Sequence, residues 1–483
     1  MTAYLLAIDG GSQSTKVSVL DSGGTVHASA QEVLRPYELG PDGRAVHPDD
    51  DLWDSLTTTC RSALAAFSGD PDQIVGIGLC GIRFCRALMD ARGRLTEPVL
   101  SWMDARVSVP LAQVDPAVAT VASAAGYLTL RLTGSRRDSA ANYQGMWPID
   151  PAARGWSTDP GAVQRTGMPL ALLPDLVDPG GLLGHITEEA AAATGLRAGW
   201  PVYATANDKA VEALGCGLSD DRTLLLSLGT YIAAMTLGAD VDGHDDRYWV
   251  NSAAIPGRYL YESGGIRRGM WTVSWLRALV SAALPGPIDQ DAILAWLNEG
   301  AQAVPPGCGG LLTIPDWLAP GDAPYRRGAI LGLDGSHGPH HLYRSILEGI
   351  ALTMRGHAEA MEAALGWRPE RLVVSGGGAR SDLMMQIVAD VVGRPAERSG
   401  IADAAGLGAA MCAAVGAGVH PDFETAMAMM TRPGQVFGPE PRAQRRYDVV
   451  MDAYQALPSF TDPMFQHMSA ALNSPDNSPA PPW

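Results

Sequence analysis

The sequence predicts an α/β protein made of two domains of related design that face each other across a cleft. A strand, a turn of small residues and a second strand open the chain over residues 4–20, and the same layout returns over residues 224–235. Two copies of one unit, about 215 positions apart, indicate a duplicated architecture. We therefore expect one domain over 1–220, a second over 221–455 and a tail over 456–483.

The first domain alternates between strand and helix patterns. Residues 4–8 are an apolar run, residues 9–14 are turn residues, and residues 16–20 alternate as a strand does. Residues 49–67 place their apolar side chains on one helical stripe, and apolar runs at 74–79 and 87–89 predict buried strands. Residues 104–132 favour a helix that ends at Gly134 as its C-cap.

The second domain follows the same logic after its opening hairpin. A further apolar strand over 371–374 runs into three glycines, and a helix is expected over 382–392. The last residues, 473–483, are rich in proline and serine and predict a disordered end.

Composition excludes several classes of function. The 483 residues are 46% apolar, and the net charge of −17 argues against a partner with a phosphate backbone or an anionic membrane surface. The apolar runs are too short to span a membrane, and the N-terminus lacks a signal-peptide pattern. Six scattered cysteines match neither a zinc site nor a disulfide framework, so a cytoplasmic protein is expected.

Two turns carry the chemistry of phosphate ligands. The turn from Asp9 to Lys16 combines glycine amides, hydroxyls and a lysine charge with an aspartate that can hold Mg²⁺ through its hydration shell. Residues 227–230 form the matching turn of the second unit. Each turn alone fits an ordinary hairpin equally well, but as a pair they predict a clamp on phosphates.

Two further stretches predict a nucleoside surface and a general base. Residues 374–382 form a glycine-rich strand-to-helix loop on which a purine and a ribose can lie, although a tight connection has the same pattern. Asp208 follows the apolar run 202–204 at a helix start, where a carboxylate is exposed at the end of a strand. It can act as a base toward a hydroxyl; the alternative is a helix N-cap.

One motif is a false lead. Residues 76–81 fit G-x-G-x-x-G after a strand, but residues 82–89 continue as strand, so we predict no dinucleotide site there. The sequence contains no P-loop.

Four of these stretches, in this order, resemble the FGGY family of carbohydrate kinases, whose fold has two actin-like (ribonuclease H-like) ATPase domains around a nucleotide cleft. The most specific similarity is to the family's C-terminal signature, at 328–333 and, seven residues later, at 341–348. Residues 4–20 and 223–237 are similar to the two phosphate motifs, and residues 371–416 to the adenosine segment.

The resemblance implies ATP as phosphoryl donor, Mg²⁺ as cofactor, a small sugar or polyol as acceptor, and a possible homodimer. Asp208 would be the general base, and Asp9 would hold the metal. The implied nucleotide ligands are Ser12, Gln13, Ser14, Thr15, Lys16, Gly229, Thr230, Gly265, Gly377, Gly378 and Asp382. The implied sugar ligands are Arg83, Phe84, Trp102, Asp104, Asn207 and Asp208.

Two places depart from the family pattern. Residues 82–84 differ from the Gln-Met-His-like run of many xylulokinase-like members, and Phe84 replaces an acidic residue of the glycerol-kinase-like pattern. Lys209 stands where the family has an uncharged amide. It either keeps Asp208 ionised and reaches the sugar or the transferred phosphate, or forms an ion pair with a local acid such as Glu212.

We therefore predict an ATP- and Mg²⁺-dependent kinase of a small sugar or polyol, with a ketopentose such as xylulose as the expected substrate. A polyol, a glycerol-like or an autoinducer-like substrate is the alternative. The rivals from other classes are an actin-like nucleotide-dependent switch and a sugar-binding regulator with little catalysis. The C-terminal signature and Asp208 favour the kinase.

Overall fold

The computed structural model describes residues 3–111, 113–241, 245–284 and 289–472. The α-helices in these ranges are α1 (Asp51–Ala66), α2 (Ala124–Thr133), α3 (Pro160–Thr166), α4 (Glu188–Thr194), α5 (Asp208–Gly215), α6 (Gly269–Ala282), α7 (Gln290–Gln302), α8 (Pro339–Leu365), α9 (Asp382–Val392), α10 (Ala404–Gly416), α11 (Phe423–Met430) and α12 (Pro441–Leu472). The strands are β1 (Tyr4–Gly10), β2 (Ser14–Asp21), β3 (Val26–Val33), β4 (Glu38–Leu39), β5 (Ala45–Val46), β6 (Ile74–Gly81), β7 (Ala87–Met89), β8 (Thr120–Ala122), β9 (Arg137–Ser139), β10 (Ile149–Asp150), β11 (Gly155–Trp156), β12 (Asp175–Val177), β13 (Leu182–His185), β14 (Pro201–Ala204), β15 (Thr223–Leu228), β16 (Ile232–Gly238), β17 (Tyr248–Ser252), β18 (Tyr259–Ser263), β19 (Leu312–Ile314), β20 (Ala329–Leu331), β21 (Arg371–Ser375), β22 (Ala396–Arg398) and β23 (Val436–Phe437).

The first large sheet has six strands in the order β13-β14-β6-β1-β2-β3. Its central strand β1 pairs antiparallel with β2 and parallel with β6. Because successive side chains of a strand point to opposite faces, Leu6 and Ile8 join the apolar cluster that contains α1. Leu5 and Ala7 join the cluster that contains α10. The first turn therefore follows directly after a strand that is buried on both faces.

The second large sheet has seven strands in the order β17-β18-β16-β15-β21-β22-β23. Its strand β15 repeats the pairing of β1, because it is antiparallel to β16 and parallel to β21. Helices α7, α8 and α9 bury their apolar faces in one cluster with this sheet. The predicted return of the strand–turn–strand unit is confirmed.

Helices α5 and α10 cross at very short range between the two sheets. A Cβ on Gly215 would lie 1.9 Å from the Ala404 carbonyl oxygen, and a Cβ on Gly408 would lie 2.0 Å from that of Val211. A Cβ on Gly78, inside the G-x-G-x-x-G run of β6, would lie 2.1 Å from the Ala409 carbonyl oxygen. This run is strand throughout, and its central glycine makes room for a helix rather than for a pyrophosphate.

Most predicted elements are confirmed, but one helix is wrong. Helices α1 and α9, strands β6 and β7, and the left-handed cap Gly134 (φ +67°) lie where the sequence predicts them. The helix expected over 104–132 is instead a 3₁₀ turn at Ala105–Ser108, strand β8 and helix α2. Pro110 and Pro116 interrupt this stretch, because proline lacks an N–H and disfavours helix in the residue before it. Residue 112, within the predicted helix, lies outside the described residues.

The chain after the family resemblance continues as helix. Helix α12 includes residues 456–472, and Thr461 and Phe465 on it are buried. Its Asp462 forms a bidentate ion pair with Arg326, with N–O distances of 2.8 and 2.6 Å. The end predicted to be disordered, 473–483, lies outside the described residues. None of the helices in the described ranges has the length and apolar character of a membrane span.

Candidate active site

The first turn places a buried acid beside a lysine. Asp9 is the last residue but one of β1 and lies opposite Lys16 in the register with β2. Burial and then the charge of Asp403 raise the pKa of Asp9 to about 7, and Asp208 and Glu212 act in the same direction against Lys16. A cation at this point would remove that repulsion.

Helix α5 presents Asp208 to the space between the sheets. Asn207 is the N-cap of this helix, because its Oδ1 accepts the amides of Lys209 and Ala210, both at 3.1 Å. The capping role that the sequence left open for Asp208 therefore belongs to its neighbour. Among the described residues, Oδ1 of Asp208 is buried without a hydrogen-bond partner. Its nearest cation is Nε of Arg83, at 3.9 Å.

Lys209 forms an ion pair with Glu212 rather than contacting Asp208. Its Nζ lies 3.0 Å from Oε2 of Glu212 and also donates to Ser227 and to the Tyr231 carbonyl oxygen. Burial opposes the charge of Glu212, but Lys209 and hydrogen bonds from Ser375, Ser227 and Lys209 outweigh burial and lower its pKa. This network lies beneath the second turn and ties α5 to β15 and β21. Of the two alternatives for Lys209, the local ion pair is confirmed.

A cavity of about 500 Å³ lies between the two sheets and brings the predicted groups together. The segment before residue 221 contributes lining residues that carry the predicted chemistry. They are Asp9, Ser12, Arg83, Phe84, Trp102, Asp208 and Lys209. The segment after residue 220 contributes Thr230, Tyr231 and Trp249. Gln13 lines an adjoining cavity of about 680 Å³, which shares Ser12, Trp102 and Thr230 with the first.

Arg83 and Phe84 follow β6 and occupy the side of this cavity. Arg83 is 7% exposed and forms a bidentate ion pair with Glu262 of β18, with N–O distances of 2.7 and 2.6 Å. Phe84 has φ +63°, an unusual conformation for a residue with a bulky side chain. Its ring lies 5.9 Å from that of Trp249, so residues of both sheets form one aromatic wall.

The glycine-rich loop after β21 packs against the second turn. Gly376 adopts φ +84°, and a Cβ on Gly378 would lie 2.9 Å from the Leu228 side chain. A Cβ on Gly377, by contrast, would meet nothing within 4 Å in the described structure. Ser381 caps α9 and also donates to Asn298, at 2.7 Å. The loop therefore offers an open backbone surface at Gly377.

Several predicted ligands have their polar atoms committed elsewhere. Asp104 is buried and accepts from Arg106 and from the Ala45 amide; these bonds outweigh its burial and lower its pKa. The Thr15 hydroxyl bonds to Ser55 at 2.7 Å, and the Ser14 hydroxyl accepts from Gln31. Asn207 donates to the Ala141 carbonyl oxygen.

Two more predicted nucleotide ligands lie apart from the central cavity. Asp382 is largely exposed and forms an ion pair with Arg398. Gly265 lines a second cavity of about 650 Å³, behind Tyr231 and Trp249. A Cβ on Gly265 would lie 2.3 Å from the Tyr231 ring, so this glycine permits close packing of the loop after β18.

Comparison with known proteins identifies the family. Models of the FGGY family of carbohydrate kinases match residues 4–115 with the N-terminal domain and residues 224–417 with the C-terminal domain. The uncharacterized sugar kinase YgcE of Escherichia coli (strain K12) is 45% identical over 453 residues, which cover 92% of this chain and 91% of that protein. The chain belongs to the FGGY family of carbohydrate kinases.

More distant FGGY relatives agree with this assignment. Glycerol kinase of Dechloromonas aromatica (strain RCB) is 27% identical over 510 residues, covering 94% of this chain and 97% of that enzyme. The crystal structure of xylulose kinase from Rhodospirillum rubrum matches with a TM-score of 0.80 at 27% identity, covering 96% of this chain and all of that one. The predicted fold of two actin-like ATPase domains and the predicted class, a carbohydrate kinase, are confirmed.

The donor set of this FGGY kinase fits a magnesium ion that is bound mainly through its substrate. The described residues contain no group of three or more His, Cys, Asp or Glu side chains able to hold a metal ion. Mg²⁺ is commonly held by one or two carboxylates plus waters and substrate phosphates. Asp9 supplies such a carboxylate at the first turn. Because burial and the nearby acids raise its pKa, a cation bound there would stabilise its charged form.

Sequence reasoning missed residues whose role depends on the far half of the chain. Glu262 and Asp403 were not identified as site residues, although both act on predicted ones. A signal was available for Glu262, because an acid within the apolar strand β18 must find a partner when it is buried. Asp403 caps α10 and lies 3.9 Å from Lys16, and no local pattern indicates that contact.

Proposed function

We propose that this kinase transfers the γ-phosphoryl group of ATP to a hydroxyl of a small sugar, with a ketopentose such as xylulose as the expected acceptor. The observation that carries the proposal is Asp208. Its Oδ1 is buried without a hydrogen-bond partner among the described residues, and it lines the cavity between the two sheets. A carboxylate that neither caps its helix nor pairs closely is available to accept a proton from a substrate hydroxyl.

The groups on the two turns and on the glycine loop would bind the metal ion, the phosphates and the adenosine. Asp9 would hold Mg²⁺, which neutralises charge on the phosphates when it is bound. Ser12, Lys16 and Thr230 would contact the phosphates. The open backbone at Gly377, beside Gly378 packed on Leu228, would carry the adenosine. Because phosphoryl transfer depends mostly on positioning and charge neutralisation, residues 1–220 and 221–455 would act as two domains that close on the reactants.

The chemistry of the cavity supports an uncharged acceptor. Arg83 and Lys209, two of the three basic side chains that line it, are neutralised by Glu262 and Glu212. The third, Arg267, donates to the Ala319 carbonyl oxygen. Aromatic side chains around the cavity offer apolar surface to the C–H groups of a sugar. The xylulose and glycerol kinases among the relatives support a neutral acceptor of this kind, and glycerol or another polyol is the second candidate.

The location proposed for this reaction is the cytoplasm. All six cysteines are free thiols, which suits a reducing compartment that also supplies ATP.

A substrate panel tests the proposal. ADP release from Mg·ATP is measured with ketoses, aldoses, polyols and sugar acids, using the wild type and Asp208→Asn as the matched control. We expect one chemical class of neutral acceptor to stimulate the wild type strongly and the variant hardly at all. Slow ATP hydrolysis that no acceptor changes would contradict the proposed function, and stimulation by sugar acids alone would contradict the neutral acceptor.

A further inference from the structure

One contact at the site joins the two sheets directly. Arg83 follows β6 of the first sheet, and Glu262 belongs to β18 of the second. Nη1 of Arg83 lies 2.7 Å from Oε2 of Glu262, and Nη2 lies 2.6 Å from Oε1. Glu262 is 0% exposed. Paired charge-assisted bonds of this kind fix both the distance and the relative orientation of the partners.

The third nitrogen of Arg83 lies near the proposed base. Nε of Arg83 lies 3.9 Å from Oδ1 of Asp208, the oxygen that has no hydrogen-bond partner in the described structure. Three rings surround the guanidinium, with its central carbon 4.8 Å from Trp249, 5.4 Å from Phe84 and 5.7 Å from Tyr231. The guanidinium therefore has little freedom to turn while Glu262 holds it.

Glu262 is itself held in place from its own sheet. Asn251 of β17 donates to Oε2 of Glu262 at 3.2 Å. Its strand β18 lies between β16 and β17, which leaves its backbone paired on both sides. The carboxylate of Glu262 is thus held firmly in the second sheet, where it binds the guanidinium of Arg83 from the first sheet.

We propose that Glu262 is a positioning residue: by holding Arg83 it orients Asp208 and makes formation of the active site depend on closure of the cleft. The inference rests on the proposed function, because it takes Asp208 as the base. It also changes the prediction for Arg83, whose two terminal nitrogens contact a protein carboxylate rather than standing free for a sugar hydroxyl.

Kinetics of Glu262 variants test the role in catalysis. We expect Glu262→Gln to lower kcat by about 10- to 100-fold, the loss that follows when a reacting group is displaced by about 1 Å. KM for ATP should stay near the wild-type value, because two strands, β16 and β15, separate the strand of Glu262 from β21, which leads into the glycine loop. Glu262→Asp keeps the charge but shortens the reach, so we expect an intermediate kcat, and this variant carries the test if Glu262→Gln does not fold.

A second buried pair provides the matched control. Arg344 and Glu348 of α8 are both buried, with Nε 2.7 Å from Oε1, and they lie within the second half of the chain. Glu348→Gln should lower the melting temperature with kcat unchanged. If Glu262→Gln behaves in the same way, the cross-sheet pair is only structural and the inference is wrong.

Small-angle scattering tests closure without any substrate. A compact chain of 483 residues has a radius of gyration of roughly 23 Å. We expect this radius to increase in Glu262→Gln and to stay unchanged in Glu348→Gln; equal radii in all three proteins would contradict the link to closure. If no sugar stimulates ADP release by the wild type, the proposed function is wrong. The scattering result would still decide whether Glu262 holds the two sheets together.

Discussion

The two hairpin turns that face the cleft share one layout but differ in where their charge lies. In the first turn, the charged groups Asp9 and Lys16 stand on the hairpin itself. In the second, Gly229 and Thr230 are uncharged, and the charges lie beneath them in the pair formed by Lys209 and Glu212.

The titration of the two acids shows what this difference means. The pKa of Asp9 is raised to about 7 by burial and by Asp403, so its negative charge lacks compensation. The pKa of Glu212 is lowered because the charge of Lys209 and hydrogen bonds from Ser375, Lys209 and Ser227 outweigh its burial. This difference supports the proposal that the first turn receives a cation, whereas the charges beneath the second turn already neutralise each other.

The largest effect expected is that of Asp208→Asn, which leaves both turns intact and removes only the proposed base. We expect kcat to fall by about 10²-fold or more, because general base catalysis contributes that much. Binding of Mg·ADP, measured by calorimetry, should change little. A variant with wild-type kcat would show that Asp208 has no part in the mechanism. Catalysis would then have to come from the groups on the two turns.

Asp9→Asn tests the claim that the first turn binds the cation. We expect the Mg²⁺ concentration for half-maximal activity to rise by about 10- to 100-fold, because the variant lacks the carboxylate. Glu212→Gln is the comparison at the second turn. If the two variants need equal Mg²⁺, the electrostatic contrast between the turns is wrong.

The raised pKa of Asp9 also predicts how Mg²⁺ changes stability with pH. An acid whose folded-state pKa lies above its unfolded value is still protonated in the folded protein where the unfolded chain has lost the proton. The free energy of unfolding should thus fall as pH rises from about 4 to about 7, and bound Mg²⁺ should offset that loss. Mg²⁺ should raise the Tm more at pH 8 than at pH 5 in the wild type, and equally at both in Asp9→Asn.

Thr230→Ala tests whether the second turn contacts the phosphates without binding the cation. Loss of one uncharged hydrogen bond should raise KM for ATP by about 2- to 10-fold with little change in the Mg²⁺ requirement. Steady-state kinetics at two Mg²⁺ concentrations measure both quantities. A large increase in the Mg²⁺ requirement would place the cation at the second turn instead.

Lys209→Met should have the smallest effect on the kinetics, seen as the KM for the sugar, and a large effect on stability. Because its Nζ is bonded to Glu212, Ser227 and a carbonyl oxygen, we expect KM for the sugar to change by less than about twofold. Breaking a buried pair should lower the free energy of unfolding by about 3–5 kcal/mol, measured by denaturant titration. A sugar KM that rises tenfold would return Lys209 to the substrate site.

Local patterns in the sequence predicted the elements and the turns well, because they depend on neighbouring residues. Strand β1, its turn and strand β2 follow from apolar alternation interrupted by glycines, and Asp208 follows from its place between an apolar run and a helix. The capping role of Asn207 was within reach of the same reasoning, since it too precedes the helix.

What the sequence could not predict are the contacts between distant segments. Glu262 meets Arg83 across 179 positions of chain, and no periodicity indicates such a pair. Asp104 looked like a sugar ligand on resemblance, but the neighbouring Arg106 and the distant Ala45 amide occupy its oxygens. The side chains that complete the cavity from the second sheet, such as Trp249, become visible only once the two halves are placed together.

The fate of the γ-phosphoryl group tests directly whether this protein phosphorylates a sugar. The wild type is incubated with Mg·ATP and the acceptor that stimulates ADP release most, and the products are followed by phosphorus NMR. We expect a sugar phosphate ester that forms in step with ADP, with almost no inorganic phosphate. Release of inorganic phosphate without an ester would contradict it and would point to a nucleotide-dependent switch on the same fold.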